Sequence, residues 1–218
     1  MEHFINDVVK PWDELNRLLA RPFAYRPDVS DVTRLANAIA VALKHTAEHM
    51  GVGRGATDRA SPGNMLMSDV ADAWKHGGKK LDDPARHNEM AVLSRFEVSD
   101  DGEFRFLRNR IVIQHATVGN VDFMVNARNA IRYWLAKLNL HINWSGSLLE
   151  GPAVFGHVAV IYYDASQQLG MGSVRIETVR RADTGTVYAF DAPDVKWAMV
   201  DFHEDSFAQL GEPVVGAD

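Results

Sequence analysis

The spacing of apolar residues changes period along this chain near residue 90, and that change limits the fold more than any other feature. Before it, apolar side chains recur every three or four positions, the period of a helix with one buried face. After it, apart from one further helical stretch, they alternate as strands do. Residues 3–20 carry Phe4, Val8, Trp12, Leu15 and Leu19 at helical spacing, with Ile5 and Val9 beside them. Pro11 lies inside that span, so two shorter helices are predicted. A second helix starts at Ser30 or Asp31, either of which can cap it. Its stripe is Val32, Leu35, Ile39, Leu43, Thr46 and Met50, and its flank carries Ala38, Ala42, His45 and His49. Small residues on that flank predict a second inter-helix surface there. Residues 51–64, rich in glycine and arginine, read as a loop. A third helix is predicted from Met65 to His76, with Leu66, Val70, Ala73 and Trp74 inward and Gly77-Gly78 as its stop. Residues 79–90 are polar and read as an exposed connection.

Strands are predicted over 91–98 and 103–117, joined at Asp100-Asp101-Gly102. A fourth helix over 121–139 points Met124, Ala127, Ile131, Trp134, Leu135 and Leu138 inward. Further strands follow at 153–164, 172–180, 186–190 and 194–203, with turns at Gln168-Leu169-Gly170 and Asp183-Thr184-Gly185. The predicted class is α+β: a helical bundle interrupted by a β-hairpin, then a C-terminal antiparallel β region. The boundary is set at residues 145/146, giving a helical domain over 1–145 and a β extension over 146–218.

Composition narrows the function. A formal charge of −6 argues against broad, charge-driven binding to nucleic acid or membranes. The absence of cysteine excludes disulfides, thiolate metal sites and a cysteine nucleophile. The N-terminus lacks a basic start followed by an apolar core, and no apolar run approaches the ~20 residues of a membrane span. A cytoplasmic protein with no membrane partner is the expectation.

Two stretches concentrate ionisable side chains one helical turn apart. In Lys44-His45-Thr46-Ala47-Glu48-His49 the two histidines share a face, and in Asp69-Val70-Ala71-Asp72-Ala73-Trp74-Lys75-His76 so do Asp69, Asp72 and His76. Charged groups beside an apolar stripe are costly unless paired, bound to a metal or used in chemistry. His45 and His49 from one helix, with Asp72 and His76 from the other, make a nitrogen and oxygen ligand set suited to zinc or manganese. The plainer alternative pairs Asp72 with His76 and leaves the other histidines bonded to backbone. Glu48 points about 100° away from the two histidines on an ideal helix.

The string His45-Thr46-Ala47-Glu48-His49 also resembles the H-x-x-E-H zinc motif of inverzincin peptidases, in which the glutamate activates a water. Those peptidases take a further glutamate from a downstream helix, and Phe123 to Lys137 contains none. A wider resemblance covers roughly residues 3–140. An aromatic first helix with Trp12, a helix with His45 and Glu48, and the string from Asp69 to His76 are similar to bacterial proteins related to HEPN (higher eukaryotes and prokaryotes nucleotide-binding) helical domains. That resemblance implies RNA- or nucleotide-directed activity of a defence or toxin type. HEPN ribonucleases carry R-x(4–6)-H with a polar residue after the arginine, which Arg108-Asn109 to His115 matches, as does Arg110 to His115 at shorter spacing. The histidine would act as general acid or base and the arginine would stabilise phosphorane-like charge. The family places this motif at a helix start, whereas here it alternates like a strand.

The candidate catalytic residues are therefore His45, Glu48, Asp69, Asp72, His76, Arg108 and His115. Three functions stay open: a nucleotide- or RNA-directed protein, a divalent-metal hydrolase, and a non-catalytic, homo-oligomeric interaction module whose buried charges fix helix register.

Overall fold

The first helical run absorbs its proline instead of breaking at it. The computed structural model describes residues 2–24, 31–76, 83–164, 174–192, 195–202 and 211–216. In it α1 (Glu2–Phe4) runs into a π-helical turn (Ile5–Val9) and on into α2 (Lys10–Leu19). Lys10 N–H bonds to Ile5 O, one residue beyond the α spacing. The widened turn sits just before Pro11, where an α-helical turn would drive the proline ring into the carbonyl of Asp7.

Helix α3 (Asp31–His49) ends at Gly51, where φ is +62°. Gly51 N–H bonds to Glu48 O and Val52 N–H to Ala47 O, the paired bonds of a glycine-terminated helix end. The segment predicted as a loop contains α4 (Arg54–Ala60). Helix α5 (Pro62–Lys75) opens with proline in its first turn, where the missing N–H costs nothing. After the strands described next comes α6 (Phe123–Lys137), started by the Asp122 side chain, which accepts from Val125 N–H. Ser30, Gly77-Gly78, Gln168-Leu169-Gly170 and His203 lie outside the described residues.

The strands are β1 (Asn88–Val98), β2 (Phe104–His115), β3 (Gly119–Asp122), β4 (Leu149–Glu150), β5 (Val154–Phe155), β6 (Ala159–Tyr163), β7 (Ile176–Arg181), β8 (Val187–Ala189), β9 (Trp197–Asp201) and β10 (Val214–Val215). The main sheet has the order β3-β2-β1-β7-β8, with β5 also paired to β2. Strand β7 lies parallel to β1, Ser94 opposite Ile176 and Glu97 opposite Val179, and β6 lies parallel to β9. The expected helical bundle, interrupted by a hairpin and followed by an antiparallel β region, is thus overturned: the architecture is mixed α/β. The hairpin is not an insertion but the middle of a mixed sheet, and the later strands are not all antiparallel. Local alternation marks a segment as a strand yet says nothing about its neighbour, so β7 could not be placed beside β1 from its own residues.

Contacts divide the chain into two units. The first comprises Met1–Leu15, Asp31–Ala91 and Ile111–Gly146, and the second Asn16–Ser30, Val92–Arg110 and Ser147–Asp218. In the first, Trp12, Ile39, Leu66, Met67, Phe123, Ile131 and Trp134 are buried. Trp12 Nε1 donates to Met124 O at 3.3 Å, and its ring meets Trp144 edge-on at 5.1 Å. In the second, Phe96, Phe104 and Phe106 form an edge-to-face cluster with Val98, Ala159 and Ile161. Asn109, fully buried there, donates to Arg21 O and Phe23 O and accepts from Ser94 Oγ, so its amide ties the 21–23 segment to the sheet. Strand β2 is not regular throughout. Arg105 reaches Glu97, and Arg110 reaches Glu177, the strand partner of Arg95. Glu97 and Arg95 share a face of β1 while Arg105 and Arg110 are an odd number apart, so alternation slips by one residue between them.

Among the described residues, no helix is long and apolar enough to cross a membrane.

Candidate functional site

Every residue of α5 from Leu66 to Asp72 is buried, so its two aspartates have no solvated side to turn to. Asp69 is 2% exposed and Asp72 7%. Carboxylates at that depth need partners. They find them on three elements of the first unit.

A 3₁₀ turn (Pro84–Arg86) supplies the main one. Asp83 sets its start by accepting from Ala85 N–H at 2.9 Å. Arg86 at its end donates from Nε to Asp69 Oδ1 at 2.6 Å and from Nη2 to Asp72 Oδ2. Burial opposes the Arg86 charge, but the hydrogen bonds and charges of Asp69 and Asp72 outweigh it and hold the guanidinium above its ordinary pKa. Lys44 on α3 donates to the other oxygen of Asp72. Asn88 bonds to the carbonyls of Asp69 and Arg86, which ties the turn to the helix.

The third element is the end of β2. His115, 5% exposed, bonds through Nε2 to Asp69 Oδ2 at 3.2 Å. Its Nδ1 accepts from the backbone N–H of Thr117 at 3.2 Å and of Val118 at 3.3 Å. Backbone N–H groups only donate, so Nδ1 carries a lone pair and the proton sits on Nε2, directed at Asp69. With that proton arrangement the imidazole is neutral, and both its nitrogens are committed.

Asp69, Arg86 and His115 of this cluster line a cleft of about 470 Å³, whose other lining residues are Asp58, Met65, Ala85, Thr117 and Val118. That volume is within the range of small-molecule sites. No described residue accepts from Arg86 Nη1, so those donors remain for a ligand.

The residues predicted for the site separate. Asp69, Asp72 and His115 come together. His45 pairs with Glu48 on its own helix at 2.7 Å, both side chains more than half exposed. His49 is exposed. His76, also exposed, caps the end of α5, its N–H bonding to Asp72 O. The Asp72 side chain is already held by Lys44 and Arg86, so it is not paired with His76. Among the described residues, no three His, Asp or Glu side chains gather into a set that could hold a metal ion. The ligand set His45, His49, Asp72 and His76 is thus not assembled, and zinc or manganese has no site built from it. Arg108 is buried in the second unit with Nε donating to Asn109 O, and Arg110 is bound to Glu177. Neither arginine pairs with His115.

The flank of α3 offered as a packing surface also differs. Ala38 is exposed and Ala42 half-buried, while Ala36, Ala40 and Ala47 on the other flank are buried. Lys44 lies between Ala40 and Ala47 on that buried flank. Alanines occur on both flanks, so small residues could not choose between them. Lys44 and Arg86 escaped sequence reasoning: a lysine in an apparent solvent position and an arginine in a polar connection carry no periodic signal. The sequence Asp83-Pro84 was the one available cue, since it starts the turn that aims Arg86.

No protein-family model, curated protein or solved structure matches this chain. The HEPN resemblance therefore rests on the quoted motifs alone.

Proposed function

We propose that this chain is a non-catalytic binding module whose cleft takes a nucleotide-sized ligand. Its anionic group would bond to Arg86 Nη1, and its ring would lie against Met65, Ala85 and Val118. One observation carries the reading: His115 has both nitrogens engaged, and Asp69 and Asp72 are ion-paired, while Arg86 retains donors at the cleft. A general base must take its proton from a ligand in the cleft, and the lone pair of His115 is directed at two backbone N–H groups of the turn instead. A guanidinium fixed by two carboxylates is preorganised to receive a third anion without losing further side-chain freedom.

The test is thermal denaturation of the full chain with adenosine, adenosine monophosphate and guanosine monophosphate, beside incubation with total RNA with and without EDTA. A nucleotide present at 100 times its Kd raises Tm by roughly 5 to 10 °C for a chain of this size. Adenosine, lacking the phosphate, gives a smaller shift. Val118→Trp fills the mouth of the cleft from a position 45% exposed, so it removes the shift and leaves the unliganded Tm nearly unchanged. RNA stays intact in both conditions. Cleavage of RNA, or equal shifts from adenosine and its monophosphate, overturns the proposal.

A further inference from the structure

His115 and Gly119 face each other across the tight turn between β2 and β3, with Ala116, Thr117 and Val118 at its tip. Gly119 has φ +80°, the left-handed residue that closes a three-residue hairpin loop. The tip is exposed, yet two of its N–H groups turn inward to a buried histidine nitrogen. Ala116 N–H bonds to His87 O, and Thr117 Oγ1 donates to Ala85 O at 2.7 Å. Thr117 and Val118 are also walls of the cleft.

From this geometry we infer that His115 is a proton-operated latch on the mouth of the cleft, closed by the neutral imidazole and released when Nδ1 is protonated. The inference rests on the cleft being the binding site. A proton on Nδ1 replaces an acceptor with a donor facing two donors, and both bonds to the turn are lost. The Nε2 bond to Asp69 survives and strengthens, because a cation then meets a carboxylate. The ring is therefore held in place and the exposed turn yields. Among the described residues, Asp69 from α5, Asp58 from α4 and Arg86 from the 3₁₀ turn are the charged groups at the cleft beside the imidazole, with Asp72 and Lys44 behind Arg86, and His87 meets the turn through its backbone carbonyl. Among the described residues, His115 is the member of this cluster whose ring accepts from the N–H groups of Thr117 and Val118, so its protonation is the one that reaches the turn.

The experiment uses the ligand-free full chain. Imidazole nitrogen shifts of His115 are followed by NMR from pH 8 to pH 5, alongside amide exchange of Thr117 and Val118 corrected for intrinsic rates. At pH 8 the proton should be found on Nε2. Protection of both amides falls at least tenfold in step with His115 protonation, while core amides of α6 keep theirs. His115→Asn places a non-titrating carbonyl oxygen near the Nδ1 position, so protection in that variant does not follow pH. The latch is overturned if the proton sits on Nδ1 at pH 8, if His115 titrates without loss of protection, or if His115 stays neutral to the acid limit of the fold. Equal pH dependence in His115→Asn overturns it as well. None of these readouts needs a ligand, so they leave nucleotide binding at neutral pH to stand or fall by itself.

Discussion

Arg86 is the residue on which the charged cluster turns, because among the described residues its guanidinium bonds to both buried aspartates. Arg86→Met deprives Asp69 and Asp72 of their shared cation while keeping side-chain bulk. Breaking a buried pair by removing one partner costs about 3–5 kcal/mol, and partial exposure of Arg86 lowers the figure to roughly 2–3 kcal/mol. Urea unfolding should show that loss with an unchanged m-value. The sign of its pH dependence follows from the raised folded pKa. Such a group stabilises fully below its unfolded pKa and loses that stability only as pH rises through the folded value. Both lie far above the neutral range, so the contribution of Arg86 is flat between pH 6 and 9. A stability difference between wild type and Arg86→Met that shrinks across that interval contradicts this account. The acids of the cluster were legible in sequence, since Asp69 and Asp72 sit one turn apart beside an apolar stripe. Of their partners His115 was singled out, though beside an arginine of its own strand, while Lys44 and Arg86 were not, because each comes from another element and pairing across elements leaves no spacing to read.

At the scale of elements, helix α5 shows how far periodicity carries. Its interior was foreseen, with Leu66 and Val70 buried as expected. Trp74, also placed inward, is half exposed. The pattern assumed one buried face, whereas α5 packs against α3, α4 and α6 and is surrounded over its middle turns. Its contact with α6 depends on Gly63. A Cβ at that position would sit 2.6 Å from Asn126 O and 3.1 Å from Ala130 N, both backbone atoms of α6 that cannot step aside. An exposed helical glycine replaced by alanine gains stability, about 0.5–1 kcal/mol. Gly63→Ala should do the reverse and lose roughly 1–3 kcal/mol, the usual cost of overpacking. A Tm at or above that of wild type would mean that the two helices are not held this close. Pro11 makes a related point: the residue was recognised as incompatible with an ordinary helix, but a wide turn preserved the helix where a break was expected.

For the molecule as a whole, the sheet decides what can stand alone. The β1–β2 hairpin contributes residues to both units, and β5, β7 and β8 come from beyond residue 146. A fragment ending at residue 146 therefore leaves the β1 edge unpaired and the Phe96, Phe104 and Phe106 cluster without Ala153, Ala159 and Ile161. Such a fragment should aggregate, or lack the dispersed amide spectrum of a folded chain; a monomeric, cooperatively melting product would refute the dependence. The same parallel pairing has a consequence during synthesis. Ser94 waits for Ile176, made about eighty residues later. At ribosomal speeds that interval lasts roughly 4 to 16 seconds. Throughout it the nascent hairpin presents an open edge and three phenylalanines to its surroundings, so yield in the cell should depend on chaperone supply and translation rate even when the finished protein is stable.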